Sequence, residues 1–591
     1  MSKVPLPPRA PRAWPGQLLL GGPLVLLFLV MLVYPVGQLL LLSVYGDSGL
    51  SLAQYRQLFA STVYVHVLLI TLKISLWTTA FSVIAAYPVA YLISSLPQKK
   101  KSSLVFWVLL SFWTSFLVRA FAWIVLLGRN GMVNQLLTAL GLQDAPSNLL
   151  YSLGAVLVGM VHALMPLAVM TMLSVMENID RNLPRAALTL GARPGSAFWK
   201  VYFPLSLPGA AAAAIMVFVT AIGFFIVPAL LGGRREIMIT QIIIEQVQQT
   251  MNWGFAGAIS VLLLVVVLVV FALYDKLLGL STMTGSASDR AKPGAAKDGW
   301  AHALGEATLT FLGNLTDNLL TLFPRRRHRA VEPGQSAVMH VIVWSVLFFL
   351  SVPALLMIPL SFAGKSGLNW PPSGFSFQFY RELFNSTLWL QAATRSLIVG
   401  TGAGVLAMLI GTPAAFLLVR GKMRGKSFML AFVLSPIIVP RMIIAVGMFY
   451  FFARVGLVGT SFGLVLGHTV IAVPYVVMTM MAVLRNYDMQ LDHAAQSLGA
   501  RPWATLRYVT FPILAAGLAS SFLFAFATSF DELTIALFAS SGLSSTLPKQ
   551  FWDEVTMQIS PVIAAVSTCL FAFVATLIWI ADRLRRYSMS R

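Results

Sequence analysis

Long apolar runs alternate with short polar connections along the whole chain. A bilayer core takes about 20 apolar residues in a helix. Twelve runs of that order occur, at roughly 17–44, 64–95, 103–127, 150–176, 207–231, 256–280, 338–362, 388–419, 427–453, 460–484, 513–539 and 558–581. They predict an all-α polytopic membrane protein with twelve transmembrane helices. Several runs exceed one bilayer thickness, which predicts tilt or juxtamembrane extension. The connections fall into two sets. One is basic: the N-terminus with Lys3, Arg9 and Arg12; Lys99, Lys100 and Lys101; the 177–206 loop with Arg181, Arg185, Arg193 and Lys200; the 281–337 segment; Arg420 to Lys426; the 485–512 loop; and a tail with Arg583, Arg585 and Arg586. The other set, 45–63, 128–149, 232–255, 363–387 and 540–557, is nearly neutral. The positive-inside rule predicts the basic set and both termini in the cytoplasm, as an even number of spans requires.

The pattern repeats at a spacing of 308 residues. Leu190-Gly191-Ala192-Arg193-Pro194 returns as Leu498-Gly499-Ala500-Arg501-Pro502, and Ala186-Ala187 as Ala494-Ala495. Phe203-Pro204 returns as Phe511-Pro512, Gly209 as Gly517, Pro166 as Pro474, and Val169-Met170-Thr171-Met172 as Val477-Met478-Thr479-Met480. Six spans per repeat give both halves one orientation, so the repeats are parallel. The expected organisation is a first half over 1–280, a cytoplasmic linker over 281–337 and a second half over 338–591. Ser281 to Lys297 is rich in Gly, Ala, Ser and Lys and reads as flexible linker. Beyond it, Trp300, Leu304, Ala307, Phe311, Leu315, Leu319 and Leu322 recur at helical spacing, before the basic run Arg325-Arg326-Arg327-His328-Arg329. Either an amphipathic helix on the inner leaflet or a tether whose apolar face packs on the bundle fits.

Composition narrows the function. Lys and Arg number 41 against 20 Asp and Glu, yet charged residues are 10% of the 591 and hydrophobic ones 58%. A soluble domain runs near 25% charged and 45–50% apolar, so an ordinary soluble enzyme is excluded, as is a disordered chain. The net charge of +21 lies in short clusters between apolar runs rather than in a basic domain, which excludes nucleic acid as a partner. Cys569, the one cysteine, sits in an apolar run and reads as a small hydrophobe. No Cys/His cluster has metal-ligand spacing. The N-terminal apolar run continues past Tyr34 without a small-residue cleavage site, as in a retained span rather than a signal peptide.

The loops 177–206 and 485–512 carry the most information. Each has Ala-Ala, then Gly-Ala-Arg-Pro, then an aromatic stretch ending Phe-Pro. Leu183, Ala186 and Leu190 share a helix face. Gly191 suits a left-handed helix end, and Pro194 a helix start. Each loop therefore reads as a short helix–turn–helix projecting from the membrane.

These residues resemble the "EAA" loop of the transmembrane subunits of binding-protein-dependent ABC importers. The resemblance implies a type I importer permease fold and a coupling helix that docks in a cleft of a cytoplasmic ATPase. The coupling residues it implies are Arg185, Ala186, Ala187, Gly191, Ala192, Arg193 and Pro194, with His493, Ala494, Ala495, Gly499, Ala500, Arg501 and Pro502. Within that family the spermidine/putrescine permeases are most similar. Trp113-Thr114-Ser115-Phe116-Leu117-Val118-Arg119-Ala120-Phe121-Ala122-Trp123, Pro228-Ala229-Leu230-Leu231-Gly232-Gly233 and Asn252-Trp253 resemble the B-type permease. Ser529-Phe530-Asp531-Glu532 and Thr546-Leu547-Pro548-Lys549-Gln550 resemble the C-type, normally a separate chain. The motif's Glu is absent: Arg185 and His493 stand in its place, and Asp492 is the nearby acid that can substitute in part. The partners implied are two ATPase copies, which bind ATP and Mg, a periplasmic binding protein, the lipid bilayer of the bacterial inner membrane and a small solute. No cofactor is expected in this chain itself. Gly-Lys-Ser occurs at 364–366 and 425–427, but Pro359 and Arg420 occupy the place of the earlier P-loop glycine.

Ionisable groups inside spans are costly and point to function. Arg119, Arg441, Asp531 and Glu532 are the candidates. The acidic pair can attract a cation; alternatively Asp531 caps a helix, or the pair neutralises Arg119 or Arg441. Trp113, Trp123, Phe225, Tyr450 and Phe530 are candidates for cation–π contact, against ordinary packing. Phe225 and Phe530, in spans five and eleven, are also candidates for a gate. Glu236, Glu245, Asp553 and Glu554 are candidates for docking the binding protein, and His162 and His468 read as packed, hydrogen-bonded histidines. Two parallel six-span halves also describe a secondary transporter, from which the two cytoplasmic loops discriminate. A membrane-embedded enzyme needs a convergent catalytic set, and none has usable spacing. Relatives of the polyamine permeases carry aminophosphonates, amino-acid derivatives, thiamine or ferric ion, so the solute class stays open at this point.

Overall fold

The computed structural model describes residues 15–46, 49–278, 300–321, 337–364, 370–421, 423, 425–540, 542–557 and 560–589. Lys3, Arg9 and Arg12, the Ser281 to Lys297 stretch, the Arg325 to Arg329 run, and Lys365 and Ser366 lie outside the described residues. Among the described residues, eleven helices are long and apolar enough to span a membrane, or twelve if one bent pair counts as a span.

Four of the expected spans are interrupted. The third separates into Gln98–Trp113 and Phe116–Leu127. Thr114 and Ser115 turn extended, and the Ser115 hydroxyl accepts the Leu117 N–H at 3.3 Å, so a new helix starts there. The ninth is the bent pair, Lys426–Ile438 and Arg441–Val455, at 90°. Pro440 has no N–H to give and holds Val439 out of the helical region. Runs five and eleven, expected to continue to 231 and 539, stop at Ile222 and Phe530. Short helices Ile226–Leu231 and Thr534–Ala539 resume after three-residue gaps.

Within each half, span two packs along spans four and five: Thr62–Ser95 on Leu153–Met176 and Phe203–Ile222, and Thr387–Arg420 on Ser461–Arg485 and Phe511–Phe530. The first span of each half crosses to the other. Tyr34–Leu42 packs on Arg441–Val455, with Phe28 against Phe432 and Tyr34 against Phe451, both at 5.5 Å between ring centres. Ala337–Ser361 packs on spans two and three of the first half. The exchange locks the halves together by close packing, the main source of cohesion between helices in lipid. In the linker, Trp300–Thr321 is helical. Its Gly313 and Asp317 face the 177–206 loop, while Phe311 and Leu315, on the expected apolar stripe, stay exposed.

Candidate functional site

The loops 177–206 and 485–512 match element for element. Asn182–Thr189 and Gln490–Ser497 are helices. Gly191 at φ +91° and Gly499 at φ +89° end them. The Ala192 N–H reaches back to the Ala187 carbonyl and the Ala500 N–H to that of Ala495, each at 3.0 Å, a paired helix stop that needs the left-handed residue. Pro194–Ala197 and Pro502–Thr505 follow, then wide turns Phe198–Tyr202 and Leu506–Thr510 that run into spans five and eleven. Arg185, Ala186, Gly191, Arg193, Pro194, His493, Ala494, Gly499, Arg501 and Pro502 are exposed, and Ala187, Ala192, Ala495 and Ala500 half-buried. At the tips, Leu190 is 88% and Leu498 90% exposed. Leu183 and Leu491 lie exposed two turns earlier on the same faces.

Asp492 turns inward rather than standing at the loop surface. Its buried carboxylate accepts from Arg420 Nη1 at 3.1 Å, the Tyr487 hydroxyl at 2.6 Å and the Thr510 hydroxyl at 2.8 Å. Arg420 lies over the Tyr487 and Phe416 rings at 4.9 and 5.0 Å. Burial, and then the bond to Asp492, raises the Tyr487 phenol above its ordinary range and keeps it a donor. The network ties the second loop to the end of span eight. In the first half Pro184 holds the equivalent place, and Arg181 donates to the Ser95 carbonyl at 3.0 Å instead. Arg420→Ala strands a buried carboxylate without its cation. It is expected to cost on the order of 3 kcal/mol, read as a lower thermal midpoint of the purified permease, with Arg420→Lys less damaging.

The four helix breaks converge on one cavity of about 110 Å³. Phe116, Thr220, Phe224 and Phe225 line it from the first half, and Pro440, Arg441, Tyr475 and Asp531 from the second. Discontinuous helices around a mid-membrane cavity are a recurrent design of transport sites, because freed backbone groups and half-helix ends face the passage. Gly223 and Phe224 occupy the repeat positions of Asp531 and Glu532, so the acidic pair belongs to the second half alone.

The two acids have different surroundings. Asp531 faces the Ser115 side chain and the Phe116 amide at the start of Phe116–Leu127, with the Arg119 and Arg441 charges nearby. Both acids border the cavity. Glu532 is 1% exposed and accepts the Thr534 and Ile535 N–H groups at 2.9 and 2.8 Å, capping Thr534–Ala539. His468 lies 3.6 Å from it and shares a 2.8 Å hydrogen bond with Ser529.

Of the other candidates, Arg441 lines the cavity and reaches the Tyr475 hydroxyl at 3.4 Å, and Phe225 lines it edge-on to Trp552. Arg119 lies behind the wall. It donates to the Ala163 carbonyl at 3.0 Å beside Pro166 and covers the Phe116 ring at 4.5 Å. Trp113 and Phe530 line a separate cavity of about 30 Å³. Trp123 packs on His162 and Phe349, and Tyr450 packs on Trp253 and accepts from Arg454. His162 bonds the Leu350 carbonyl at 3.1 Å. Asp553 pairs with Lys549, and Glu236 accepts the Gly233 N–H. Sequence reasoning missed Tyr475, Phe116, Phe224 and Pro440; of these only Pro440, a helix breaker inside an apolar run, carried a signal.

The sequence model of the family described as "Binding-protein-dependent transport system inner membrane component" matches residues 23–278 and 406–589. The chain is 32% identical over 212 residues to the spermidine/putrescine transport system permease protein PotB of Salmonella typhimurium, covering 36% of this chain and 74% of that protein. It is 28% identical over 242 residues to the permease protein PotC of the same kind of system from Haemophilus influenzae, covering 41% of this chain and 93% of that protein. Among solved structures, a bacterial alginate ABC transporter in complex with an alginate pentasaccharide-bound periplasmic protein aligns with a TM-score of 0.39 at 18% identity, over 44% of this chain and 92% of that one.

Proposed function

This chain belongs to the family of inner membrane components of binding-protein-dependent transport systems, and from that premise we propose that it carries polyamines inward through the cavity at its four helix breaks. It is a multi-pass permease of an ABC importer. The observation that carries the mechanism is the pair of matched cytoplasmic loops, each continuous with a span whose far end forms a cavity wall. Each loop docks one copy of a cytoplasmic ATPase, which binds ATP and Mg. A periplasmic binding protein delivers the solute to the neutral face, and both termini lie in the cytoplasm. ATP-driven closure moves the two loops, and their spans move opposite walls of one cavity. That is a two-state change of access, with hydrolysis supplying direction.

The names of the relatives and the chemistry of the wall support polyamines as the cargo. Asp531 supplies an anion for an ammonium group, and Phe224, Phe225 and Tyr475 offer ring faces to an alkylammonium. Arg441 offsets one of the two acids in the wall, Asp531 and Glu532, so a polycation is held weakly enough to leave, as conduction requires.

The test is uptake of labelled putrescine and spermidine by vesicles holding the permease with its ATPase and binding protein. Uptake is expected to stop when the ATPase loses its nucleotide-binding lysine. Persistence would instead identify a gradient-driven carrier, and uptake of another solute alone would remove the polyamine assignment. Asp531→Asn keeps the shape and removes the charge. A hydrogen bond to a charged group contributes about 1.5–3 kcal/mol, so polyamine uptake should fall roughly tenfold or more. Uptake at the unaltered rate would take Asp531 out of the pathway.

A further inference from the structure

The linker helix Trp300–Thr321 meets the first cytoplasmic loop through a built polar contact. Buried Asp317 accepts the Gly195 N–H at 2.7 Å, the Ser196 N–H at 3.2 Å and the Ser196 hydroxyl at 2.8 Å. One residue earlier, the Thr316 hydroxyl oxygen accepts Trp199 Nε1–H at 2.9 Å while its proton goes to the Leu312 carbonyl. The fit leaves no room for a side chain at Gly195: a Cβ there would stand 2.8 Å from both Asp317 Oδ1 and the Gly313 carbonyl. Gly313 itself lies against Ser196. A loose tether needs none of this, since a buried carboxylate is costly unless several donors meet it.

The second half differs at the same places. Trp503 stands where the first half has Gly195, and it is 68% exposed; Tyr508 stands where the first half has Lys200, and it is 72% exposed. An indole at that position would collide with any helix placed as Trp300–Thr321 is. Trp503, Arg507 and Tyr508 form an ordinary interfacial aromatic and basic group. The clamp is therefore a property of the first loop alone.

Its location gives it a consequence. Gly195 and Ser196 lie just past the left-handed stop at Gly191, in the first turn of the helical run that reaches Ile222 at the cavity wall. A carboxylate holding these two amides fixes the angle at which the loop helix leaves its span. We propose that Asp317 is a positioning residue, which makes the linker helix part of the first ATPase-docking surface and leaves the two halves coupled unequally to their ATPase copies. This rests on the reading that both loops dock an ATPase.

The experiment uses the purified complex of permease, ATPase and binding protein. A photoreactive benzoyl-phenylalanine replaces Leu190 or Leu498, and capture of the ATPase is measured with and without Asp317→Ala. Gly195→Ala, which attacks the same contact from the other side, is the second variant. Amide exchange over 195–197 reports whether the contact has opened. Losing a cap of this kind corresponds to about fivefold. Capture from position 190 should fall by that factor in both variants, exchange should rise, and capture from position 498 should stay within about twofold. Asp317→Asn, which keeps one acceptor, should fall between. Raised exchange with unchanged capture at 190, or an equal loss at both positions, overturns the proposal. If neither position captures the ATPase in the unaltered complex, the docking reading fails and takes the proposal with it.

Discussion

Glu532→Ala is expected to lower the stability of the permease by about 2–6 kcal/mol, because each buried N–H left without a partner costs about 1–3 kcal/mol and the Glu532 carboxylate holds two, on Thr534 and Ile535. His468, also buried, loses its neighbouring carboxylate in the same change. Glu532→Gln keeps one acceptor and should cost less. The measurement is the thermal or denaturant midpoint of the purified permease, compared with that of Asp531→Asn. The two acids are adjacent in sequence and differ in environment, so they should separate cleanly. The Glu532 variants should lose stability while the folded permease still transports, and Asp531→Asn should lose uptake out of proportion to any change in its midpoint. A Glu532→Ala permease with an unchanged midpoint and no polyamine transport would reverse the assignment and make Glu532 the group that meets the solute.

The contrast between these neighbours shows where sequence stops being informative. Hydropathy runs, alternating loop charge and the 308-residue register carry the twelve apolar segments, the parallel halves and both loop motifs, because each depends only on residue type and spacing. Even the helix stops at Gly191 and Gly499 are legible, since the left-handed turn favours glycine there. The break in span five is not, and that in span eleven is marked only by the charges of Asp531 and Glu532. Gly223, Phe224 and Phe225 are as apolar as the helix they interrupt, so the pattern runs straight through them. Nor can spacing tell that the Glu532 carboxylate turns back to its own backbone while Asp531 meets Ser115 and the Phe116 amide of the other half. Asp492 misled for a related reason. Beside His493 it looks available for docking, but its partners Arg420, Tyr487 and Thr510 come from three separate stretches of chain. Among the aromatics, Trp123 and Tyr450 were chosen by type, and only three-dimensional placement shows them packed away from the cavity. Asp317 carries no signal in the sequence, because it sits on the polar face of a helix whose pattern lies in its apolar stripe.

The largest functional loss is expected from Leu190→Asp combined with Leu498→Asp. Both side chains project into water from the tips of the loops, so the substitution removes almost no internal packing. A surface change of this kind moves stability by about 0.5 kcal/mol or less. Docking is another matter. If each leucine enters an ATPase cleft, an aspartate there must be stripped of water without a built partner, at a cost of several kcal/mol. Two such penalties should weaken the permease–ATPase complex by more than about a hundredfold, since each 1.4 kcal/mol is a factor of ten. Uptake should fall to background while the thermal midpoint of the permease and the basal activity of the free ATPase stay unchanged. The single variants carry the finer information. The first loop is braced by Asp317 and the second is not, so equal losses from Leu190→Asp and Leu498→Asp would mean that the brace does not alter docking, and unequal losses that it does. Uptake at the unaltered rate in the double variant would show that the tips touch nothing, and the energy input would then have to enter the protein elsewhere.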